Sequence, residues 1–242
     1  MVITGSSRGI GLGVAEGFAA AGARLHLIAN DGAVHAVAKA LGATPVEADI
    51  ADKTQVRAAL ARLTRIDVLI NNAGLELMTP IEDSSDATSD AFRRVIYINV
   101  GGTALVTAAA LDRMPAGSAI INTASIWGRV AEPRFGAYAA SEHAIIGLTK
   151  TWARELGPRG IRVNAVCPGW VRTEASMRSL DPFAPEAGRD PQVMLDEIVA
   201  GQALPGLMEP ADMAPTYLFL ASNLAANITG QAINVDRGEV PW

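Results

Sequence analysis

The feature that most constrains the fold is a glycine-rich turn near the N-terminus. It lies between residues 2–4, an apolar run typical of a strand, and residues 11–21, an Ala-rich run typical of a helix. Gly5 permits a tight turn, Gly9 allows the backbone to approach a pyrophosphate, and Gly11 allows close packing of helix and strand. Because a helix N-terminus offers free N–H groups and a positive dipole end, the turn predicts a dinucleotide-binding site. A purely structural turn is the alternative.

Apolar runs and Ala-rich helical stretches alternate along the rest of the chain. Most of the runs show no polar–apolar alternation, which is typical of strands covered on both faces. The pattern predicts a single Rossmann-type α/β domain over residues 1–242, with a doubly wound parallel sheet and helices on both faces. The predicted strands are 2–4, 24–29, 46–49, 68–71, 119–123, 162–166 and 232–235, and the predicted helices are 11–21, 32–41, 53–63, 87–114, 138–156 and 211–221.

Residues 174–205 depart from this alternation. They contain four prolines and two glycines, and they are too long for an ordinary connection between secondary-structure elements. We therefore expect a substrate loop or lid here. Several apolar side chains could line a substrate pocket, or could pack against the core or a neighbouring subunit. They are Leu75, Met78, Trp127, Trp170, Met177, Leu180, Phe183 and Met194.

Charge and composition restrict the classes of partner. The chain has 20 basic and 25 acidic residues, a net charge of −5, and its Lys and Arg residues form no stripe that would predict nucleic-acid binding. A single cysteine, Cys167, cannot form an internal disulfide and favours a reducing, cytoplasmic location. His26, His35 and His143 lack metal-ligand spacing, which predicts no metal site. No stretch approaches the ~18 apolar residues of a membrane span, so we expect none.

Two side chains compete for the 2′ position of the adenosine ribose. Asp31 follows the second predicted strand, where an acid binds the ribose 2′-hydroxyl and favours NAD, although it could also be a solvated turn residue. Arg8, inside the glycine turn, could instead face the 2′-phosphate of NADP. We favour NAD and leave NADP open. Asp49, at the end of the third predicted strand, could bind the adenine amino group or cap the following turn.

Further motifs follow the glycine turn along the whole chain. They are Asn71-Asn72-Ala73-Gly74, Asn99 within Tyr97-Ile98-Asn99-Val100, Ser125 within Asn122-Thr123-Ala124-Ser125, Tyr138 within Tyr138-Ala139-Ala140-Ser141, Pro168-Gly169 followed by Val171 and Thr173, and Gly230-Gln231 followed by Asn234-Val235-Asp236. Their types and their order resemble the short-chain dehydrogenase/reductase family.

The resemblance implies an NAD(P)-dependent oxidoreductase that interconverts a secondary alcohol and a ketone by hydride transfer. In such a site Ser125 would orient the substrate oxygen, Tyr138 would give or take its proton, and Asn99 would support a water relay. The resemblance also implies a homo-oligomer, with a tetramer favoured, formed through the helices at 87–114 and 138–156. The implied cofactor-binding residues are Gly5, Ser7, Arg8, Gly9, Ile10, Gly11, Asp31, Asp49, Ile50, Asn72, Ala73, Gly74, Tyr138, Pro168, Gly169, Val171 and Thr173.

The chain departs from the family at one catalytic position. The family has a Lys four residues after the Tyr, on the same helix face, where it lowers the pKa of the Tyr and holds the nicotinamide ribose. Here that residue is Glu142, so the implied catalytic set is Asn99, Ser125, Tyr138 and Glu142. A carboxylate at this place should raise the pKa of Tyr138 and weaken it as a base. Arg129, on a nearby loop, could supply a cation instead.

Three interpretations of Glu142 stay open at this point. It could accept hydrogen bonds from the nicotinamide ribose hydroxyls, mark a chain that has lost catalysis, or be a changed position in an active enzyme. The second interpretation predicts a non-catalytic dinucleotide-binding protein with a regulatory or assembly role. Two related classes fit less well. Halohydrin dehalogenases have Arg at this place and lack an intact cofactor turn, and enoyl reductases have Lys two residues further on, where this chain has Ala144.

Overall fold

Seven parallel strands form one sheet at the centre of the computed structural model. The strands are β1 (Val2–Thr4), β2 (His26–Ala29), β3 (Thr44–Glu47), β4 (Val68–Asn71), β5 (Ala119–Thr123), β6 (Arg162–Pro168) and β7 (Ala232–Val235). Their order is β3-β2-β1-β4-β5-β6-β7, and every neighbouring pair is parallel. The chain builds outward from β1 to β3 and then crosses back to β4 beside β1. This order confirms the predicted doubly wound, Rossmann-type sheet.

The structure describes the backbone of residues 1–186 and 188–241, and every side chain among them except those of residues 182, 183 and 186. Helices cover both faces of the sheet. Three of them have capping side chains: Asp52, Ser85 and Asp190 accept hydrogen bonds from backbone N–H groups in the first turns of α3, α4 and α8. The α-helices in this part of the chain are α1 (Gly9–Ala20), α2 (Ala33–Leu41), α3 (Lys53–Leu60), α4 (Asp86–Ile96), α5 (Thr103–Ala110), α6 (Gly136–Leu156), α7 (Glu174–Glu186), α8 (Pro191–Ala200) and α9 (Ala214–Ala221).

The core consists of two apolar layers, one on each face of the sheet. Successive strand residues point to opposite faces, so Val2 packs in one layer and Ile3 in the other, and both are fully buried. Leu69 and Ile70 divide in the same way. This double burial explains why these strands read as unbroken apolar runs in the sequence.

The predicted helix 87–114 is interrupted in the structure. A π-helical turn, Tyr97–Gly102, separates α4 from α5, and a 3₁₀ turn, Leu111–Arg113, follows. One segment nevertheless passes a test of length and composition for a membrane span, although we expect no such span from the sequence. Among the described residues, Asp86–Arg113 is long and apolar enough by length and composition. Val95 and Val106 in this segment are buried, and a core helix of a soluble protein passes the same test.

The region 174–205 is helical, contrary to the expectation of an irregular loop. It contains α7 and α8, and one of its prolines, Pro191, occupies the first position of α8. Proline is favoured there because its missing N–H would have no partner within the helix. The side chain of Asp190 caps the same helix. Pro191 therefore marks the start of a helix and not a loop.

Candidate active site

A cavity of about 830 Å³ opens at the carboxyl ends of the strands, where β1 and β4 lie side by side. Open α/β sheets bind their ligands at this switch point, and the volume lies within the ~300–1,000 Å³ range of ligand pockets. The structure brings most of the predicted site residues together around it. They are Gly5, Ser7, Arg8, Gly9, Ile10, Asp49, Ile50, Asn72, Ala73, Gly74, Asn99, Ser125, Tyr138, Glu142, Pro168, Gly169, Val171 and Thr173.

The glycine turn is held against the loop that follows β4. Gly5 and Gly9 have positive φ values of 64° and 55°, in the region that favours glycine. A Cβ on Gly5 would lie 2.7 Å from the Cα of Ala73, so only a glycine fits this contact. The Thr4 hydroxyl accepts hydrogen bonds from the N–H groups of Asn72 and Ala73, at 3.0 and 3.1 Å. The turn is therefore rigid before any ligand binds, and it fits a pyrophosphate at the N-terminus of α1.

Gly11 and Asp31, both predicted to bind cofactor, do not line the cavity. A Cβ on Gly11 would lie 2.1 Å from the carbonyl oxygen of Gly5, so Gly11 acts by allowing close packing of α1. The preceding residue, Asn30, lines the cavity instead of Asp31.

Asp31 and Arg8, the competing candidates at the ribose, form an ion pair with each other. The distance from Arg8 Nη2 to Asp31 Oδ2 is 2.7 Å, and the Ser7 hydroxyl donates to the same oxygen at 3.0 Å. The other carboxylate oxygen accepts the N–H of Ala33. The two side chains therefore meet at one place, and either could present its charge to an incoming ribose.

Asp49 combines the two roles that the sequence left open. Its Oδ1 accepts the N–H of Ala51 at 2.9 Å, which is the capping contact, and the residue also lines the cavity. The adjacent Ile50 is buried beneath the same wall.

Asn99 lies in the π-helical turn and is 3% exposed. Its side-chain amide bonds the main chain of Leu75 on both sides, accepting the N–H at 2.7 Å and donating to the carbonyl at 3.0 Å. The second amide hydrogen points to the Ser141 hydroxyl at 2.9 Å. Asn99 therefore ties α6 to the loop after β4, at the cavity wall.

Ser125 and Tyr138 face each other across the same wall. The Ser125 hydroxyl accepts the N–H of Trp127 at 3.2 Å, and it forms a hydrogen bond with Tyr138. The Tyr138 ring stands edge-on to Trp127, with centroids 5.9 Å apart. Burial is the main reason that the pKa of Tyr138 lies well above its usual range, and the charges of Glu142 and Glu76 raise it further, against the Ser125 hydrogen bond.

Glu142 is turned into the protein rather than toward solvent, at 5% exposure. The pKa of its carboxyl is raised to about 8: burial is the main cause, the Ser141 hydrogen bond opposes it, the charge of Glu76 adds to it, and the nearby Asn99 amide opposes it. Arg129 does not line the cavity. Its guanidinium donates to the carbonyl of Ala232 and hydrogen-bonds the thiol of Cys167.

Glu76 is a site residue that sequence reasoning missed. It lines the cavity two residues after Gly74, and its Oε1 accepts the Ser179 hydroxyl from α7 at 2.7 Å. Burial raises its pKa, opposed by the Ser179 hydrogen bond. Its place after β4 was the available signal, because side chains at strand carboxyl ends face the cleft.

Only part of the predicted apolar lining faces the cavity. Leu75, Met78, Trp127 and Trp170 line it, as expected. The face that α7 presents is more polar, with Ser176, Arg178, Ser179 and Asp181. Met177, Leu180 and Met194 follow the other alternative and pack in an apolar cluster between α7 and α8, and the side chain of Phe183 lies outside the described residues.

Known proteins resemble this chain over its whole length. A family model described as "Enoyl-(Acyl carrier protein) reductase" matches residues 5–239. Oxidoreductase UcpA of Salmonella typhimurium is 38% identical, over 98% of this chain and 92% of that protein. Galactitol 2-dehydrogenase (L-tagatose-forming) of Cereibacter sphaeroides is 35% identical, over 99% of this chain and 94% of that protein.

A solved structure shows the same fold. The blue fluorescent protein from a metagenomic library, determined in complex with NADPH, is 31% identical and has a TM-score of 0.83, over 99% of this chain and 97% of that one. Together with the strand order and the ordered motifs, these matches identify the chain as a member of the short-chain dehydrogenase/reductase family of NAD(P)-dependent oxidoreductases.

Proposed function

We propose that this protein interconverts a secondary alcohol and a ketone by hydride transfer, with NAD or NADP as cofactor. The observation that carries the proposal is one continuous cavity, which has the rigid glycine turn at one end and the Ser125–Tyr138 pair at the other. A relative named galactitol 2-dehydrogenase (L-tagatose-forming) supports the alcohol-to-ketone class.

Different residues of the chain have different roles in this reaction. The nicotinamide supplies or accepts the hydride. Ser125 donates a hydrogen bond to the substrate oxygen and so polarises it, and the Tyr138 hydroxyl, on the same wall, transfers the proton. Asn99 fixes the main chain of Leu75 beside them and so keeps the floor of the site in place for a water relay.

The high pKa of Tyr138 favours carbonyl reduction over alcohol oxidation at neutral pH. At neutral pH the phenol keeps its proton, because ionisation would place a negative charge in a buried site that already holds Glu142 and Glu76. A proton donor for carbonyl reduction is therefore always present, whereas the phenolate base needed for alcohol oxidation is scarce. We propose that the protein works mainly as a reductase at neutral pH, where Tyr138 keeps its proton.

Further properties belong to the same proposal. Asp31, oriented by Ser7 and Ala33, supports a preference for NAD, although its ion pair with Arg8 places a cation at the same point. A homotetramer through α4, α5 and α6 is supported by the exposed aromatic residues Phe92 and Tyr97 on the outer helix. A cytoplasmic location accords with the single, buried cysteine.

The second candidate function is a dinucleotide-binding protein without catalysis. It is favoured by one observation, the acidic Glu142 at the place where the family has its Lys. Titration with NADH and with NADPH, followed by cofactor fluorescence, tests binding; the absence of a saturable signal with either would defeat both candidates. Turnover on a panel of alcohols and ketones then separates them.

The sharpest experiment compares the protein with Glu142→Lys. We expect the cation to lower the pKa of Tyr138 and to raise alcohol oxidation at neutral pH at least tenfold, equivalent to about 1.4 kcal/mol of barrier. Glu155→Lys is the matched control, because Glu155 is exposed on the same helix. If Glu142→Lys oxidises alcohols no faster than the control, the carboxyl does not limit Tyr138.

A further inference from the structure

The buried carboxyl of Glu142 stands where it can act on Tyr138. The two residues lie four apart on α6, so they are neighbours on one helix face, with Cβ atoms ~5–6 Å apart. Both line the cavity, and the charge of Glu142 is the second-largest cause of the raised pKa of Tyr138.

The neighbours of this carboxyl leave it poorly supplied with hydrogen-bond donors. The Asn99 amide lies nearby, but its two N–H bonds point to the Leu75 carbonyl and the Ser141 hydroxyl, at 3.0 and 2.9 Å. Ser141 has one hydroxyl proton, and the Tyr138 carbonyl oxygen lies 2.7 Å from that hydroxyl. The contact from Ser141 to Glu142 Oε1 is longer, at 3.4 Å.

This geometry suits an uncharged carboxyl. A carboxylate would depend on a proton that Ser141 directs elsewhere, whereas a protonated carboxyl can itself donate to a free lone pair of the Ser141 oxygen. The Ser141 oxygen then accepts from both Asn99 and Glu142 and donates its own proton to the Tyr138 carbonyl, as a buried hydroxyl can.

Several titratable or charged groups face Glu142 from other elements. Glu76 approaches from the loop after β4, and its charge adds to the burial that raises the pKa of Glu142 to about 8. The thiol of Cys167 on β6 and the phenol of Tyr217 on α9 are also within its electrostatic reach. The guanidinium of Arg129 is engaged at Cys167 and Ala232.

We propose that Glu142 works as an uncharged carboxylic acid that returns a proton to Tyr138 in each cycle of carbonyl reduction. This inference rests on the proposed function. It assigns Glu142 a role opposite in charge to that of the Lys in relatives: Glu142 stores a proton for the phenol, whereas the Lys lowers the pKa of the phenol. Because Glu142 acts through Tyr138, it is a positioning residue for the proton.

The proton and electron balance closes with the reduced cofactor of the proposed function. The carbonyl carbon gains a hydride and its oxygen gains the Tyr138 proton, so that the C=O π bond breaks and C–H and O–H bonds form. The resulting phenolate takes the carboxyl proton of Glu142 through solvent in the cavity that both residues line, and the carboxylate recovers one proton from bulk solvent. Each cycle therefore consumes one reduced cofactor and one solvent proton per ketone.

The test compares the pH dependence of ketone reduction in the wild type, Glu142→Gln and Glu155→Gln. Above about pH 8 the wild-type rate should fall tenfold per pH unit, because Glu142 loses its proton and its charge makes Tyr138 a weaker acid. Glu142→Gln keeps the shape of the side chain but has no proton to give. It should be at least tenfold slower at neutral pH and lack the decline near pH 8. Glu155→Gln, on the exposed face of the same helix, should match the wild type.

Two further measurements do not depend on turnover. An infrared band of a protonated carboxyl should be present at neutral pH, vanish above about pH 8 and be missing from Glu142→Gln. The affinities for NADH and NADPH should stay within about twofold, because Glu142→Gln adds no charge and no bulk. Glu76→Gln removes a neighbouring charge and should move both the decline in rate and the infrared band to lower pH.

The outcomes separate this inference from the function on which it rests. A Glu142→Gln protein with the wild-type rate and pH profile, or a wild type without the carboxyl band, overturns the role of Glu142 while alcohol–ketone chemistry stands. A wild type that binds NAD(P)H but reduces none of the ketones defeats the proposed function, and the proton-return role with it.

Discussion

Backbone atoms form one end of the cavity, and side chains form the other. At the glycine turn, the backbone determines the shape: positive φ values at Gly5 and Gly9 and a distance of 2.1 Å between a Cβ on Gly11 and the Gly5 carbonyl leave no room for side chains. At the other end, side chains determine the chemistry through the buried, interacting groups of Tyr138 and Glu142.

This difference separates binding from catalysis. Sterics and main-chain hydrogen bonds at the glycine turn do not titrate near neutral pH, so we expect pyrophosphate binding there to be insensitive to pH. The pKa values of Tyr138 and Glu142 are set mainly by burial, so a small change of charge near them alters the proton transfer. Variants at the two ends should therefore produce different losses.

The largest expected effect comes from removing the proton at the catalytic end. Tyr138→Phe keeps the ring that stands against Trp127, at 5.9 Å, and removes only the hydroxyl. We expect turnover to fall by about 10³-fold, the scale of general acid–base catalysis, while the affinity for NAD(P)H falls far less. Tyr97→Phe is the control, because Tyr97 is exposed and lies outside the cavity. A matching loss of cofactor affinity would show that the two ends are not separate.

The second-largest expected effect comes from a variant at the glycine turn. Gly11→Ala forces a methyl group to within 2.1 Å of the Gly5 carbonyl and 2.5 Å of the Asn72 amide nitrogen, so α1 must shift away from the turn. We expect the affinity for NAD(P)H to fall about 100-fold, with about 3 kcal/mol lost from the free energy of unfolding. Fluorescence titration and urea denaturation measure the two quantities.

The control for that variant is Gly147→Ala on α6, where a Cβ would have no heavy atom within 4 Å. It should stabilise the protein by roughly 0.5–1 kcal/mol, because alanine restricts the unfolded chain and favours helix. If Gly11→Ala binds cofactor as well as the control does, the turn is not the rigid part of the site.

The glycine-turn end was also the easier of the two to predict from sequence. Glycine spacing and unbroken apolar runs are local signals, and β1, β4, β5 and β7 have the predicted bounds. The Tyr138 end depends on long-range placement. Glu76 reaches Glu142 only because the loop after β4 packs against α6, and no local pattern reports that approach.

Two further features could not be predicted from the sequence, for other physical reasons. The π-helical turn that carries Asn99 lies inside a helical pattern and differs from it by a single hydrogen-bond register. The helix α8 was hidden by Pro191, which is compatible with a helix at its first position but is also typical of loops.

A smaller effect on cofactor choice is expected from variants at the adenosine-ribose end of the cavity. Asp31→Ala removes the carboxylate that pairs with Arg8 at 2.7 Å, so that this guanidinium keeps its longer contact with Glu174, at 4.0 Å, and can approach a 2′-phosphate. We expect the ratio of NADPH to NADH affinity to rise about tenfold, or ~1.4 kcal/mol. Arg8→Ala is the opposite variant and should favour NADH. Equal ratios in the two variants would place cofactor choice elsewhere in the cavity.

The smallest effect concerns the contact between α7 and the catalytic end. The Ser179 hydroxyl donates to Glu76 at 2.7 Å, and this hydrogen bond opposes the rise that burial causes in the pKa of Glu76. Ser179→Ala should therefore raise the pKa of Glu76 further. A raised pKa in the folded state means that ionising Glu76 destabilises the fold as pH rises above its unfolded value of 4.5.

We expect Ser179→Ala to lower the free energy of unfolding by about 1 kcal/mol at neutral pH. The difference from the wild type should shrink toward about pH 5, because protonated Glu76 depends less on the donor. Urea denaturation at the two pH values measures both effects, and Ser84→Ala, at an exposed serine, corrects for the loss of a hydroxyl alone. A constant difference at both pH values would mean that Ser179 holds α7 in place without tuning the charge of Glu76, and α7 would then be independent of the proton chemistry.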